Sequence, residues 1–211
     1  MKLKLDLHIH SEYSYDSNSK INSIIKKAEK IGLDGIAITD HEEFFGAEIA
    51  AKKSNNLIII KGQEIDTEYG DIIGLFLKHK IETQKFAAVI SEIKRQKGIV
   101  VLPHPAKFHI LVDEVLKEID VVEVFNARLG YEENNMAKRL AEKTKKRIIA
   151  GSDAHFLFEI GNGITIVDSK SRKIEDIKDA ILSGKIKIIQ KRSRKCFQFL
   201  TKFVKIWRRK K

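Results

Sequence analysis

Five short stretches hold residue types that bind metal ions: Asp6-Leu7-His8-Ile9-His10-Ser11, Thr39-Asp40-His41, Gly62-Gln63-Glu64, His104-Pro105 and Gly151-Ser152-Asp153-Ala154-His155. The first ends the alternation Leu3, Leu5, Leu7, Ile9, which reads as a strand. Side chains two apart on a strand face the same way, so Asp6, His8 and His10 are expected on one face. Two parallel imidazoles make half of a metal site; the competing reading is a surface strand that carries histidines. Five of the seven histidines (His8, His10, His41, His104, His155) fall at strand ends, whereas His79 and His109 read as ordinary surface or loop residues. Imidazole mixed with carboxylate suits Zn, Mn or Fe better than Ca or Mg. The candidates are too many for one tetrahedral ion, so two or three ions sharing a bridging carboxylate are expected. Such clusters activate water and clamp the attacking and leaving oxygens of a phosphoester.

These residues need elements to carry them. Helical periodicity covers 20–31, with Ser19 as its expected cap, and also 44–53, 83–96, 112–117, 132–144 and 174–182. Apolar runs over 35–41, 57–60, 71–77, 99–102, 121–126, 147–150 and 163–167 read as strands. Strand and helix alternate, which argues for an α/β protein with a mainly parallel sheet. The polar clusters all fall at or just after C-terminal strand ends, where a (β/α) barrel gathers its loop-borne chemistry. Spread over so many strands, they favour a closed or nearly closed ring over an open sheet with a narrow crevice. A chain of 211 residues is short for eight units, so a missing or irregular unit is expected.

Composition bounds the rest. With 43% hydrophobic and 33% charged residues, the chain can bury a sizeable core. It has no apolar run long enough for a membrane span and no signal-peptide pattern at its start. A single cysteine, Cys196, excludes an internal disulfide framework and fits a reducing, cytoplasmic setting. The net charge of +11 is local: residues 185–211 hold twelve Lys/Arg and no Asp/Glu, leaving a near-neutral body. The expected division is a body over 1–190 and a basic tail over 191–211. Between Arg194 and Arg209 the tail reads as an amphipathic helix, with Cys196, Phe199, Leu200, Phe203, Ile206 and Trp207 on one side. Lys195, Gln198, Lys202, Lys205 and Arg209 lie on the other. Three roles stand open: packing on its own body, peripheral contact with an anionic membrane surface, and contact with nucleic-acid backbone.

In their order, the five motifs resemble those of the PHP (polymerase and histidinol phosphatase) family over residues 6–155. The resemblance implies a distorted (β/α)7 barrel, here with a basic amphipathic C-terminal helix, two or three divalent ions (Mn, Zn or Fe), and phosphoesterase chemistry. It implies that His8, His10, Glu64 and Asp153 hold one ion. Glu64, as a bridge, and His104 would hold a second, and Asp16, His41 and His155 a third. Asp40 and Arg128 are the expected catalytic groups: Asp40, like Asp6, by orienting a ligating imidazole, and Arg128 by forking onto phosphate. The chain departs from the pattern after its fifth strand, where Glu123-Val124-Phe125-Asn126-Ala127-Arg128 stands in place of a further His or Cys. Asn126 is either a weak ligand or a substrate contact. This segment resembles a shorter branch that cleaves phosphate from nucleotides or trims short oligonucleotides. The implied reaction is in-line attack by a metal-bridging hydroxide on a nucleotide phosphate or an oligonucleotide end, in phosphatase or exonuclease fashion. The rivals are a histidinol-phosphate phosphatase and a non-catalytic nucleic-acid-binding subunit. Oligomeric state is left open.

Overall fold

A computed structural model describes residues 1–107, 109–194 and 196–208, with the backbone alone at Gln198 and Trp207. The expectations placed on Lys195, Arg209 and the side chains of Gln198 and Trp207 therefore lie outside the described residues. Among the described residues, nine strands form one sheet: β1 (Lys2–Ile9), β2 (Gly35–Ile38), β3 (Ile58–Thr67), β4 (Gly70–Leu75), β5 (Ile99–Leu102), β6 (Val121–Asn126), β7 (Arg147–Gly151), β8 (Gly163–Asp168) and β9 (Ile186–Gln190). The helices are α1 (Ile21–Lys30), α2 (Phe45–Lys53), α3 (Phe86–Arg95), α4 (Asp113–Glu118), α5 (Tyr131–Thr144), α6 (Ile174–Ser183) and α7 (Cys196–Arg208).

The strand order is β7-β6-β5-β4-β3-β2-β1-β8-β9. The sheet curls until the segment after β7 meets β1: Ile9 bridges Ala154, and the His10 amide donates to the Ala154 carbonyl at 2.9 Å. The result is the nearly closed, barrel-like α/β architecture expected. It is less parallel than expected, because β3–β4, β4–β5, β1–β8 and β8–β9 are antiparallel. Only two residues, Glu68 and Tyr69, separate β3 from β4, and so short a connection joins antiparallel strands. Sequence reading missed β9, where Lys185, Lys187 and Lys191 interrupt the apolar signal; lysines are common on such an edge strand.

The two larger apolar clusters sandwich the strands. One gathers Leu3, Leu5, Leu7, Ala37, Ile60, Ile73, Val101, Val121, Ile149 and Val167 from successive strands, with Ile177 and Ile181 of α6. The other seats Ile21, Ile24 and Ala28 of α1, with Val89 and Ile93 of α3, against Ile36, Ile38, Val100 and Val122. Ile9 belongs to the second cluster although Leu7 belongs to the first, and the β1–β2 register shifts between Asp6 and Ile9. The strict alternation read from the sequence thus breaks just before the site. Helix α1 begins after Lys20, which makes no side-chain cap bond, and its Ile21 amide donates to Glu12 Oε1 at 3.2 Å. Ser19 does not cap it, because its hydroxyl donates to the His155 carbonyl at 3.0 Å instead.

Candidate metal centre

All eight residues expected to hold metal converge at one rim. Their donor atoms, joined by one from Asp71, form overlapping groups, each within 4.8 Å: His10/Asp16/His41/His155, His8/His10/Asp153, His8/Glu64/His104 and His41/Glu64/Asp71. The irregularity in β1 turns His8 and His10 toward each other, with their Nε2 atoms 3.1 Å apart. Glu64, near the middle of β3, is the hub. Its Oε2 lies 3.2 Å from His8 Nε2, 3.2 Å from His10 Nε2 and 3.5 Å from His41 Nδ1. Its Oε1 lies 3.0 Å from His104 Nε2. Asp153 Oδ1 sits 3.4 Å from both His10 Nε2 and His155 Nδ1, and Asp16 Oδ2 sits 2.8 Å from His155 Nε2. Two of these residues hold left-handed backbone conformations uncommon outside glycine, His104 at φ 30° and Asp153 at φ 53°. Such strain gathers at sites where the surroundings dictate the backbone.

The donor set fits a cluster of divalent ions. Imidazole nitrogens and carboxylate oxygens face one another across short gaps in a buried space. Five carboxylates (Asp16, Glu64, Asp71, Glu123, Asp153) crowd that space. Burial works to discharge His10, yet hydrogen bonds to Asp153 and Glu64 lift its pKa to about 10. Burial opposes His8 as well, and the charges of Glu64, Glu123 and Asp153 hold it well above the ordinary imidazole value. Burial drives His41 down to about 4. Burial also acts to raise Glu64 and Asp153, but neighbouring imidazoles, His41 and His8 foremost, keep both well below the usual carboxylate range. Metal ions bind the deprotonated forms of these same groups, so loading would release protons.

Three expectations need correction. Asp40 does not touch an imidazole among the described residues; it accepts from the Ser11 amide at 2.5 Å and the Ser11 hydroxyl at 2.6 Å, pinning the chain as it leaves β1. Asp6 leaves the face of His8 and His10 and accepts from the amides of Ser152 (3.0 Å) and Gly161 (2.8 Å), tying β1 to the segment after β7. Asn126 is fully buried with its amide committed: Nδ2 donates to Glu123 (2.9 Å) and Asp153 (3.2 Å), while Oδ1 accepts from the Arg128 amide (3.0 Å). It braces the site rather than facing a substrate.

Sequence reading missed Glu123, whose Oε1 lies 3.0 Å from His8 Nδ1 and whose Oε2 accepts from the His104 amide at 2.9 Å. This is the carboxylate that orients an imidazole, the role expected of Asp40. The available signal was a lone acid inside the apolar run Val121–Phe125. Asp71 was also missed; its Oδ2 lies 3.9 Å from His104 Nε2, and burial, with Glu64 beside it, raises its pKa to about 6. His109, read as an ordinary loop residue, lies with its ring 5.7 Å from that of His104. Arg128 reaches the rim: one arm contacts His155 Nδ1, the other donates to Thr201 Oγ1 (2.6 Å) and to the Phe197 carbonyl (3.3 Å) of α7.

Comparison with known proteins agrees with this picture. A family model described as PHP-associated matches residues 131–186. An uncharacterized protein of Methanocaldococcus jannaschii is 36% identical, aligned over 76% of this chain and 68% of its own length. A probable phosphatase of Acetivibrio thermocellus is 25% identical over 76% of this chain and 83% of its own. Among solved structures, a two-domain protein from Bacteroides vulgatus, described as containing a predicted PHP-like metal-dependent phosphoesterase, superposes with a TM-score of 0.80 at 19% identity. That superposition covers 96% of this chain and 70% of the other. With this fold, and with five motifs brought to one rim, the chain belongs to the PHP family.

Proposed function

We propose that the protein is a metal-dependent phosphoesterase that hydrolyses a phosphate ester of a nucleotide or the end of a short oligonucleotide. The observation that carries this reading is the convergence of all eight candidate ligands, with Arg128 beside them. His8, His10, Glu64 and Asp153 would hold one ion, Glu64 and His104 a second, and Asp16, His41 and His155 a third. Asp71 stands within reach of the Glu64 groups. Such ions, when bound, supply an activated water and neutralise charge on the phosphate oxygens. The chain's own residues do the rest. Glu123 orients His8 and fixes the backbone of His104. Asn126 ties Glu123 to Asp153. Arg128 offers a guanidinium where charge on a phosphate would develop. A silent binding subunit has no need for so complete a donor set, which weighs against the non-catalytic alternative.

The test is metal content and turnover together. Purified protein should carry two or three divalent ions, and a panel of mononucleotides, short oligonucleotides and histidinol phosphate should reveal the ester. Asp153→Ala and His10→Ala should each lower kcat/KM by roughly a thousandfold. Full turnover in either variant, or protein that takes up no metal, would end this reading. Turnover of histidinol phosphate alone would select that alternative.

A further inference from the structure

Helix α7 lies across the rim of the candidate centre, clamped at both ends. Near its start it receives the Arg128 guanidinium on Phe197 and Thr201. At its end Arg208 donates to the carbonyls of Glu12 (2.5 Å), Ser17 (2.9 Å) and Ser14, in the loop that carries Asp16. Between the clamps, Lys205 places its ammonium 4.6 Å from the centre of the Tyr15 ring. Tyr15 in turn stacks on His41, with ring centres 4.8 Å apart and planes 16° from parallel. A single aromatic ring therefore links a lysine of the acid-free tail to a candidate ligand.

We propose that Lys205, together with Tyr15, forms a second phosphate-binding subsite on this rim, one that holds a phosphate other than the one hydrolysed. The preferred substrate then carries more than one phosphate, as a short single-stranded oligonucleotide does. This rests on the phosphoesterase reading and narrows its substrate. A lysine is a mobile point charge suited to a backbone phosphate, and each such contact adds a salt-sensitive increment of affinity. The outer side of α7 exposes Phe199, Leu200, Phe203 and Ile206, which invites a lipid surface as the rival occupant. A helix lying on a bilayer snorkels its lysines outward to the headgroups. Lys205 turns inward to Tyr15, which favours an anion held between helix and rim.

The full-length chain tests this in two ways. In chelator, binding of a short fluorescein-labelled oligonucleotide is followed by anisotropy over a range of salt. Lys205→Ala should weaken binding about tenfold and make the plot of log affinity against log salt shallower by about one. Lys205→Arg should retain the wild-type slope, and Lys26→Ala on the exposed side of α1 controls for net charge. After reloading with Mn²⁺, the ratio of kcat/KM for the oligonucleotide to that for p-nitrophenyl phosphate should fall about tenfold in Lys205→Ala. Unchanged affinity and slope in Lys205→Ala would overturn the subsite. So would a variant that binds oligonucleotide normally but loses binding to phosphatidylglycerol-containing vesicles. A binding shift without metal-dependent turnover of any ester would remove the phosphoesterase reading, and with it the subsite's role beside a hydrolysed phosphate, leaving Lys205 as a phosphate contact only.

Discussion

Glu123 shows how a single side chain can set the chemistry of a site without facing its substrate. One carboxylate oxygen meets His8 Nδ1, fixing which ring nitrogen points to the centre, and the other secures His104 and Asn126. Partners of this kind tune metal affinity by about 10–100-fold. Glu123→Gln should therefore fold normally yet lose metal on dialysis, with affinity reduced by about that factor in calorimetric titration. Wild-type affinity in that variant would assign His8 another orienting partner. The candidate ligand types were legible because histidines two apart, and Asp-x-His, are unusual in a body otherwise rich in isoleucine and lysine. The supporting acids were not, because neither Glu123 nor Asp71 belongs to a short motif, and only the folded backbone brings them within reach.

The strands carry these residues only where their neighbours leave room. β7 ends at Gly151, where an added Cβ would lie 2.4 Å from Glu123 Oε1 and 2.5 Å from the His8 Cβ. Gly151→Ala should thus push on two members of the centre at once. It is expected to cost about 1–3 kcal/mol in urea unfolding and to lower bound metal; a stable variant with full metal content would show that β1 yields freely. Element positions read well from sequence wherever an apolar period ran uninterrupted, as in α1, α3 and α6. They failed at β9, where lysines hid the strand, and the sheet is less parallel than expected, since an apolar run carries no direction. In α7, Phe199, Leu200, Phe203 and Ile206 stay outward while Phe197, Thr201 and Arg208 face the body.

For the whole molecule, stability depends on ties between distant parts of the chain. Asp6 joins β1 to the segment around Ser152 and Gly161. Burial raises its pKa from 3.8 to about 6, against the hydrogen bonds it accepts. A carboxyl raised in the fold favours its protonated form there. Its contribution is thus greatest below about pH 4 and is lost as pH rises through about 6. In metal-free protein, the stability of the wild type relative to Asp6→Asn should fall by up to about 3 kcal/mol between pH 4 and 7. A difference that stays constant over that range would refute the tie. The same closure orders events in time. His8 and His10 are translated well over a hundred residues before Asp153 and His155, whose donor atoms meet theirs in the fold. The ribosome must deliver the whole span between them before these donors can meet, so any ion they hold would bind after assembly rather than guide early folding.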